Sequence, residues 1–157
     1  MNISLAVGCD MAGVGLRDYL CEKLQSDPRV GELVDFGVPN NQDHTAYPTV
    51  GFSVAHDVRE GKHDRGLLIC GTGIGMAISA NKVAGIRATT AHDIYSVERS
   101  VLSNNCQILA LGARVLAPEL AWMLVDRWLD LMFDESSASA EKVQMISDYE
   151  KEGISYE

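Results

Sequence analysis

Three observations predict a three-layer α/β domain built on a five-stranded parallel sheet. Short apolar runs alternate with segments whose apolar residues recur at helical spacing, the pattern of strands joined by right-handed helical crossovers. One of those runs, Gly66-Leu67-Leu68-Ile69, is continuously apolar, as strands covered on both faces are. The 157 residues, 46% of them apolar, suit a single domain with one core.

The elements follow in order. Ile3 to Val7 is a first strand ending at Gly8, and Leu16, Tyr19, Leu20 and Leu24 fall on one helix face. Glu32 to Phe36 is a second strand stopped by Gly37, and the polar stretch 37–44 is a loop. Pro48 suits a first helical turn, Val50, Val54 and Val58 give that helix an apolar stripe, and Gly61 ends it. Leu67 to Ile69 is the third strand, followed by a helix over Met76 to Lys82. Ile86 to Thr90 is the fourth strand, and Asp93 can cap a helix carrying Tyr95 to Leu102. Gln107 to Leu111 is the fifth strand. Pro118 opens a helix with Leu120, Met123, Leu124, Trp128 and Leu131 on one face. A last helix, from about Ser139 to Lys151, carries Val143, Ile146 and Tyr149. One small sheet edge cannot cover the apolar faces of both final helices, Leu120 to Leu131 and Val143 to Tyr149, so a dimer built partly on them is expected.

Composition narrows the function. A net charge of −9 argues against a nucleic-acid partner, which wants a basic footprint. No apolar run reaches membrane-spanning length, and Met1-Asn2-Ile3-Ser4 shows no cleavable signal. Cys9, Cys21, Cys70 and Cys106 are scattered without metal-type pairs, which fits free thiols in a reducing cytoplasm. No internal repeat or low-complexity tract is present.

The densest chemistry lies in Cys70-Gly71-Thr72-Gly73-Ile74-Gly75. A thiol stands at the carboxyl end of a strand, the end at which open α/β sheets bind ligands. A helix start follows, with unpaired amides that can hold an anion and that favour thiolate over thiol. A proton-abstracting group beside an oxyanion cradle is what enolisation of a sugar carbonyl requires. Two plainer readings stand beside this one. Any tight corner can use glycine, and a buried cysteine is usually a small hydrophobe. The turn is no nucleotide P-loop, since no Gly-Lys-Ser/Thr follows, and a third glycine is absent at Met76.

Other strand ends carry further groups. Asp10 can bind sugar hydroxyls or simply cap the next helix, and Arg114 can hold a hydroxyl or phosphate or form a surface ion pair. His56 and His63 read as solvent-facing. Trp122 and Trp128 read as packing rather than as a sugar platform.

Gly8-Cys9-Asp10, Tyr47-Pro48, the Cys70–Gly75 block, Asn81-Lys82-Val83-x-Gly85-Ile86-Arg87-Ala88, Ser103-Asn104-Asn105 and Leu111-Gly112-Ala113-Arg114-Val115 follow one another along nearly the whole chain. In that order they resemble the family of ribose-5-phosphate isomerase B and the galactose-6-phosphate isomerase subunits. The resemblance implies a Rossmann-like fold, no metal or organic cofactor, and a homodimer or tetramer with its active site between subunits. It implies aldose–ketose isomerisation of a phosphorylated sugar through an enediolate. Residue by residue, Cys70 matches the base that moves a proton between C1 and C2. Gly71, Thr72, Gly73, Ile74 and Gly75 match the loop that stabilises the enediolate oxygen. Asp10, Asn104 and Arg114 match substrate-binding positions.

The departures are as informative. Met11 stands where the family usually has a histidine, and Ser103 where it has a ring-opening histidine. Two phosphate-binding arginines near the start of the last helix have their places at Ala138 and Lys142, so at most one cation is kept. A ribose 5-phosphate closes a furanose through O4, whereas an aldotetrose 4-phosphate has O4 blocked and needs no ring-opening acid. The block from His92 to Ile108 also resembles the branch acting on erythrose and erythrulose phosphates in erythritol breakdown. A D-erythrulose 4-phosphate/D-erythrose 4-phosphate isomerase is therefore expected. The alternatives are a ribose-5-phosphate isomerase B with a reorganised site and a noncatalytic subunit of a hetero-oligomeric galactose-6-phosphate isomerase.

Overall fold

The computed structural model describes residues 2–152. Five parallel strands run in the order β2-β1-β3-β5-β4. They are β1 (Ile3–Cys9), β2 (Val30–Asp35), β3 (Arg65–Cys70), β4 (Ala88–Thr90) and β5 (Ile108–Gly112). The helices between and after them are α1 (Val14–Gln25), α2 (Tyr47–Arg59), α3 (Ile74–Ala80), α4 (Ile94–Leu102), α5 (Pro118–Leu129) and α6 (Ala140–Glu152). The α2 and α3 helices pack together on one face of the sheet, while α5 joins α1 and α4 in the other helical layer. The result is the expected Rossmann-like three-layer fold.

The middle strands are apolar because both their faces are covered. Leu5, Val7, Leu67, Leu68, Ile69, Leu109 and Leu111 are buried completely or nearly so. The chain moves outward from β1 to β2 in one direction and from β3 toward β4 in the other. The order therefore reverses between the neighbours β1 and β3, and a crevice opens at their carboxyl ends. The two ends are tied directly, since the Asp10 amide donates to the Ile69 carbonyl at 3.2 Å.

Several elements depart from their sequence reading. The fourth strand is shorter than expected, because the Ile86 amide turns back to the Val83 carbonyl at 3.1 Å. The α3 helix begins two residues earlier than the apolar stretch suggested, directly on the glycine-rich corner. On α5 the inward stripe is Ala121, Leu124, Val125 and Trp128, whereas Leu120 and Met123 face outward. On α6 only Val143 is buried, and Ile146 and Tyr149 are exposed. His63 is buried rather than solvent-facing, and its Nδ1 pairs with the Asp57 carboxylate in the last turn of α2. Trp128 is fully buried, with the Arg65 guanidinium 5.3 Å from its ring centroid, while Trp122 is half-buried. Asp93 caps α4 as predicted, accepting the Ser96 amide at 2.8 Å.

Candidate active site

The β3 strand ends at Cys70, whose side chain is only 6% exposed. The chain then turns through Gly71-Thr72-Gly73 into α3. Gly73 has φ +79°, which a side chain rarely adopts, and an added Cβ would stand 3.0 Å from the Leu111 carbonyl carbon and Thr90 Cγ2. The turn folds back on the thiol, and the Gly73 amide donates to Cys70 Sγ at 3.1 Å. Thr72 Oγ1 accepts the Ile74 amide at 3.3 Å. The amides of Gly75 and Met76 fall in the first turn of α3, where no intrahelical acceptor is available.

The end of β5 closes the corner from behind. The Ala113 amide donates to the Cys70 carbonyl at 2.8 Å, and the Arg114 amide donates to the Gly71 carbonyl at 3.0 Å. The Arg114 side chain lies against the loop, 3.4 Å from where a Cβ on Gly71 would stand. From α2, the Tyr47 ring covers the backbone of Gly75 so closely that any side chain there would meet it at 2.5 Å. A cavity of about 430 Å³ results, lined by Asp10, Tyr47, Cys70, Gly71, Thr72, Ile74, Gly75, Ile78 and Arg114.

This brings seven of the expected site residues to one place. Asp10 also fulfils its plainer role, since Oδ1 accepts the amides of Ala12 at 2.9 Å and Gly13 at 3.2 Å. Gly73 shapes the turn without lining the cavity, and Met11 is exposed outside it. Ser103 ends α4, and Asn104 lies beyond it, its side chain donating to the Arg99 carbonyl at 3.0 Å. Asn104 lines a second pocket with Arg87 and Arg99, and Lys142 lies in a groove with Met145, Ile146 and Tyr149. Within one chain, then, Ser103, Asn104 and Lys142 do not line the Cys70 cavity. Tyr47 and Ile78 had no assigned place. Ile78 could have been found as the i+4 partner of Ile74 on the outward face of a helix otherwise buried.

The other thiols cannot stand in for Cys70. Burial pushes Cys9 up to about 12 and Cys21 and Cys106 up to about 11, so all three keep their protons at neutral pH. Among the described residues no group of three or more His, Cys, Asp or Glu converges as a metal site would, and no helix is long and apolar enough to cross a membrane.

His92 braces the corner. Its Nε2 accepts the Gly112 amide at 2.9 Å, which requires the neutral ring with its proton on Nδ1. Burial lowers its pKa, an effect that Asp93 partly opposes. Its folded value lies below the unfolded one of about 6.5, so the unfolded chain binds the extra proton first. This contribution to stability is complete above about pH 6.5 and is lost as pH falls through the folded value. Urea midpoints measured between pH 8 and pH 5 should fall with acidification, and His92→Gln should flatten that part of the slope. An unchanged slope in the variant assigns the acid sensitivity to another group.

The fold and this corner define an α/β enzyme whose thiol stands at the sheet's switch point beside a polar crevice. The chain belongs to the ribose/galactose isomerase family, which matches residues 5–146. It is 53% identical to D-erythrulose-4-phosphate isomerase 2 of Mycolicibacterium smegmatis over 96% of this chain and 99% of that one. It is 45% identical to D-erythrulose-4-phosphate isomerase of Pectobacterium atrosepticum, over 94% and 95% respectively. The fold superposes on ribose-5-phosphate isomerase B of Clostridium thermocellum with a TM-score of 0.90 at 38% identity, covering 97% of this chain and all of that one. The protein is a sugar-phosphate aldose–ketose isomerase.

Proposed function

We propose that this chain interconverts D-erythrulose 4-phosphate and D-erythrose 4-phosphate through an enediolate. The observation that carries the reading is the cavity itself. It gathers Cys70, Thr72, Asp10 and Arg114 around one small volume in a chain that has serine at position 103. Cys70 removes the proton from C2 of the aldose and returns it to C1, while a second proton passes from O2 to O1. Thr72 Oγ1 and the loop amides stabilise the oxygen on which charge develops, a role commonly worth about 3–4 kcal/mol per donor. Asp10 and Arg114 hold substrate oxygens. The two similar proteins named for D-erythrulose 4-phosphate support the four-carbon substrate.

Ribose 5-phosphate is the second reading, favoured by the fold's likeness to a ribose-5-phosphate isomerase B. The ratio of kcat/KM for erythrose 4-phosphate to that for ribose 5-phosphate, on one preparation, separates the two. A ratio at or below one retires the tetrose reading. No measurable turnover of either would favour a noncatalytic subunit.

The working unit is a homodimer. On α6 Met145, Ile146 and Tyr149 are exposed, as are Leu120 and Met123 on α5 and Ile74 and Ile78 beside the cavity. Exposed apolar side chains on these helices suit a protein–protein contact. Asn104 and Lys142, outside the cavity of their own chain, then become available to a partner's. Sedimentation at micromolar concentration should give a dimer, and activity should fall on dilution below its dissociation constant. A fully active monomer contradicts this assembly.

A further inference from the structure

We propose that the pocket walled by β4, α4 and α6 is a phosphate-monoester site, with Arg99 as its anchoring cation and Arg87 as the second. The pocket holds about 500 Å³. Both its charged lining residues are arginines, and none is a carboxylate. In a chain of net charge −9 such a concentration of uncompensated positive charge is unexpected. Four other guanidinium groups are occupied. Arg17, Arg29 and Arg127 pair with carboxylates, and Arg65 is spent on the carbonyls of Trp128 and Leu131.

Arg99 is different. Its Nε is buried and has no hydrogen-bond acceptor among the described residues. Its Nη1 reaches only Ser103 Oγ, at 3.5 Å, and the guanidinium lies 5.7 Å from the Tyr95 ring centroid. The adjacent Glu98 is committed to Arg127 Nε at 2.8 Å. Glu150 of α6 accepts the Gly85 amide at 2.6 Å. Among the described residues no carboxylate pairs with Arg99. Arg87 uses its Nε on the carbonyls of Asn104 and Asn105, at 3.1 and 2.9 Å, which fixes the root of its guanidinium at the pocket wall. A buried guanidinium donor without an acceptor is costly, and a phosphate offers oxygens in the geometry its fork requires. Ile146 lines both this pocket and the adjoining groove that Lys142 lines.

Two sources would supply that chemistry. One is the substrate's own phosphate, which rests on the tetrose-phosphate reading above and on a site completed across a dimer. The other is a separate phosphate ligand bound away from Cys70. The first test is independent of catalysis: calorimetric titration of the full chain with inorganic phosphate at low ionic strength. Arg99→Gln should weaken binding on the order of 10- to 100-fold, and Arg99→Lys, which keeps the charge but loses the fork, should weaken it less. Folding of each variant is checked by its thermal melt. Should Arg99→Gln fail to fold, Arg99→Lys must still weaken phosphate for the site to stand. Undiminished binding in a folded Arg99 variant overturns the proposal.

Kinetics then distinguish the sources. Phosphate competing with erythrose 4-phosphate, and a raised KM with little change in kcat in Arg99→Gln, assign the pocket to the substrate. Noncompetitive phosphate with an unchanged KM assigns it to a separate ligand. Arg99-dependent phosphate binding without tetrose turnover would retire the tetrose reading and keep the site. Tetrose turnover with Arg99-independent binding would retire the site alone.

Discussion

Cys70→Ala should lower kcat for erythrose 4-phosphate toward the upper end of the 10²–10⁴-fold, roughly, that a positioned general base supplies. The melting temperature should move by only a few degrees, since the substitution deletes one sulfur atom from a side chain already 6% exposed and a loss of about 1 kcal/mol shifts a domain of this size by about 2–4 °C. No other thiol can take over. Cys9, Cys21 and Cys106 lie outside the cavity, and burial pushes each of them up to about 11 or higher. Exchange of the C2 hydrogen with deuterium oxide gives a second readout, because it follows proton removal even when product release limits turnover. A Cys70→Ala protein that exchanges and turns over at the wild-type rate removes the thiol from the mechanism.

The second large effect concerns ring size. A tetrose 4-phosphate is presented open, so the proposed base meets its C2 hydrogen directly. A pentose 5-phosphate must first open its furanose, and Ser103 offers no acid–base group for that step. The kcat/KM for ribose 5-phosphate should therefore trail that for erythrose 4-phosphate by about 10²–10⁴-fold, the usual contribution of general acid–base assistance. Ser103→His should recover part of the pentose rate and leave the tetrose rate unchanged. Position 103 is the C-cap of α4, exposed enough to accept the larger ring. Equal gains for both sugars would mean that the histidine acts on something other than ring opening.

The strand ends were legible in the sequence because their signals are local. An apolar run, a glycine and a chemistry-bearing residue occur together at Gly8–Asp10, at Cys70–Gly75 and at Leu111–Arg114, and parallel topology aligns such ends on one edge. What failed was whatever depends on a neighbour distant in sequence. On α5 two adjacent stripes are both apolar, and periodicity does not say that Ala121 and Val125 win over Leu120 and Met123. Both are buried on the face of a helix that packs against α1 and α4. His63 is buried because Asp57 waits for it at the end of α2, a pairing no spacing rule announces. Tyr47 enters the cavity only because Gly75 leaves room for its ring. Ser103, Asn104 and Lys142 could be matched by motif but not placed, since they sit at the end of α4 and on α6, outside the Cys70 cavity of their own chain.

The strand order has a consequence for how this molecule fails. Asp10, Cys70 and Arg114 stand at the ends of the three interior strands β1, β3 and β5, whereas α4 leads from the edge strand β4 and α6 buries only Val143, with Glu150 accepting the Gly85 amide. Partial opening starts where few apolar contacts hold the backbone, at edges and appended helices. Mild heat or low denaturant should therefore loosen the chain's grip on its ligand while the proton-transferring corner remains assembled. Inactivation would proceed in two stages, a weakening of saturation first and a collapse of turnover only with global unfolding.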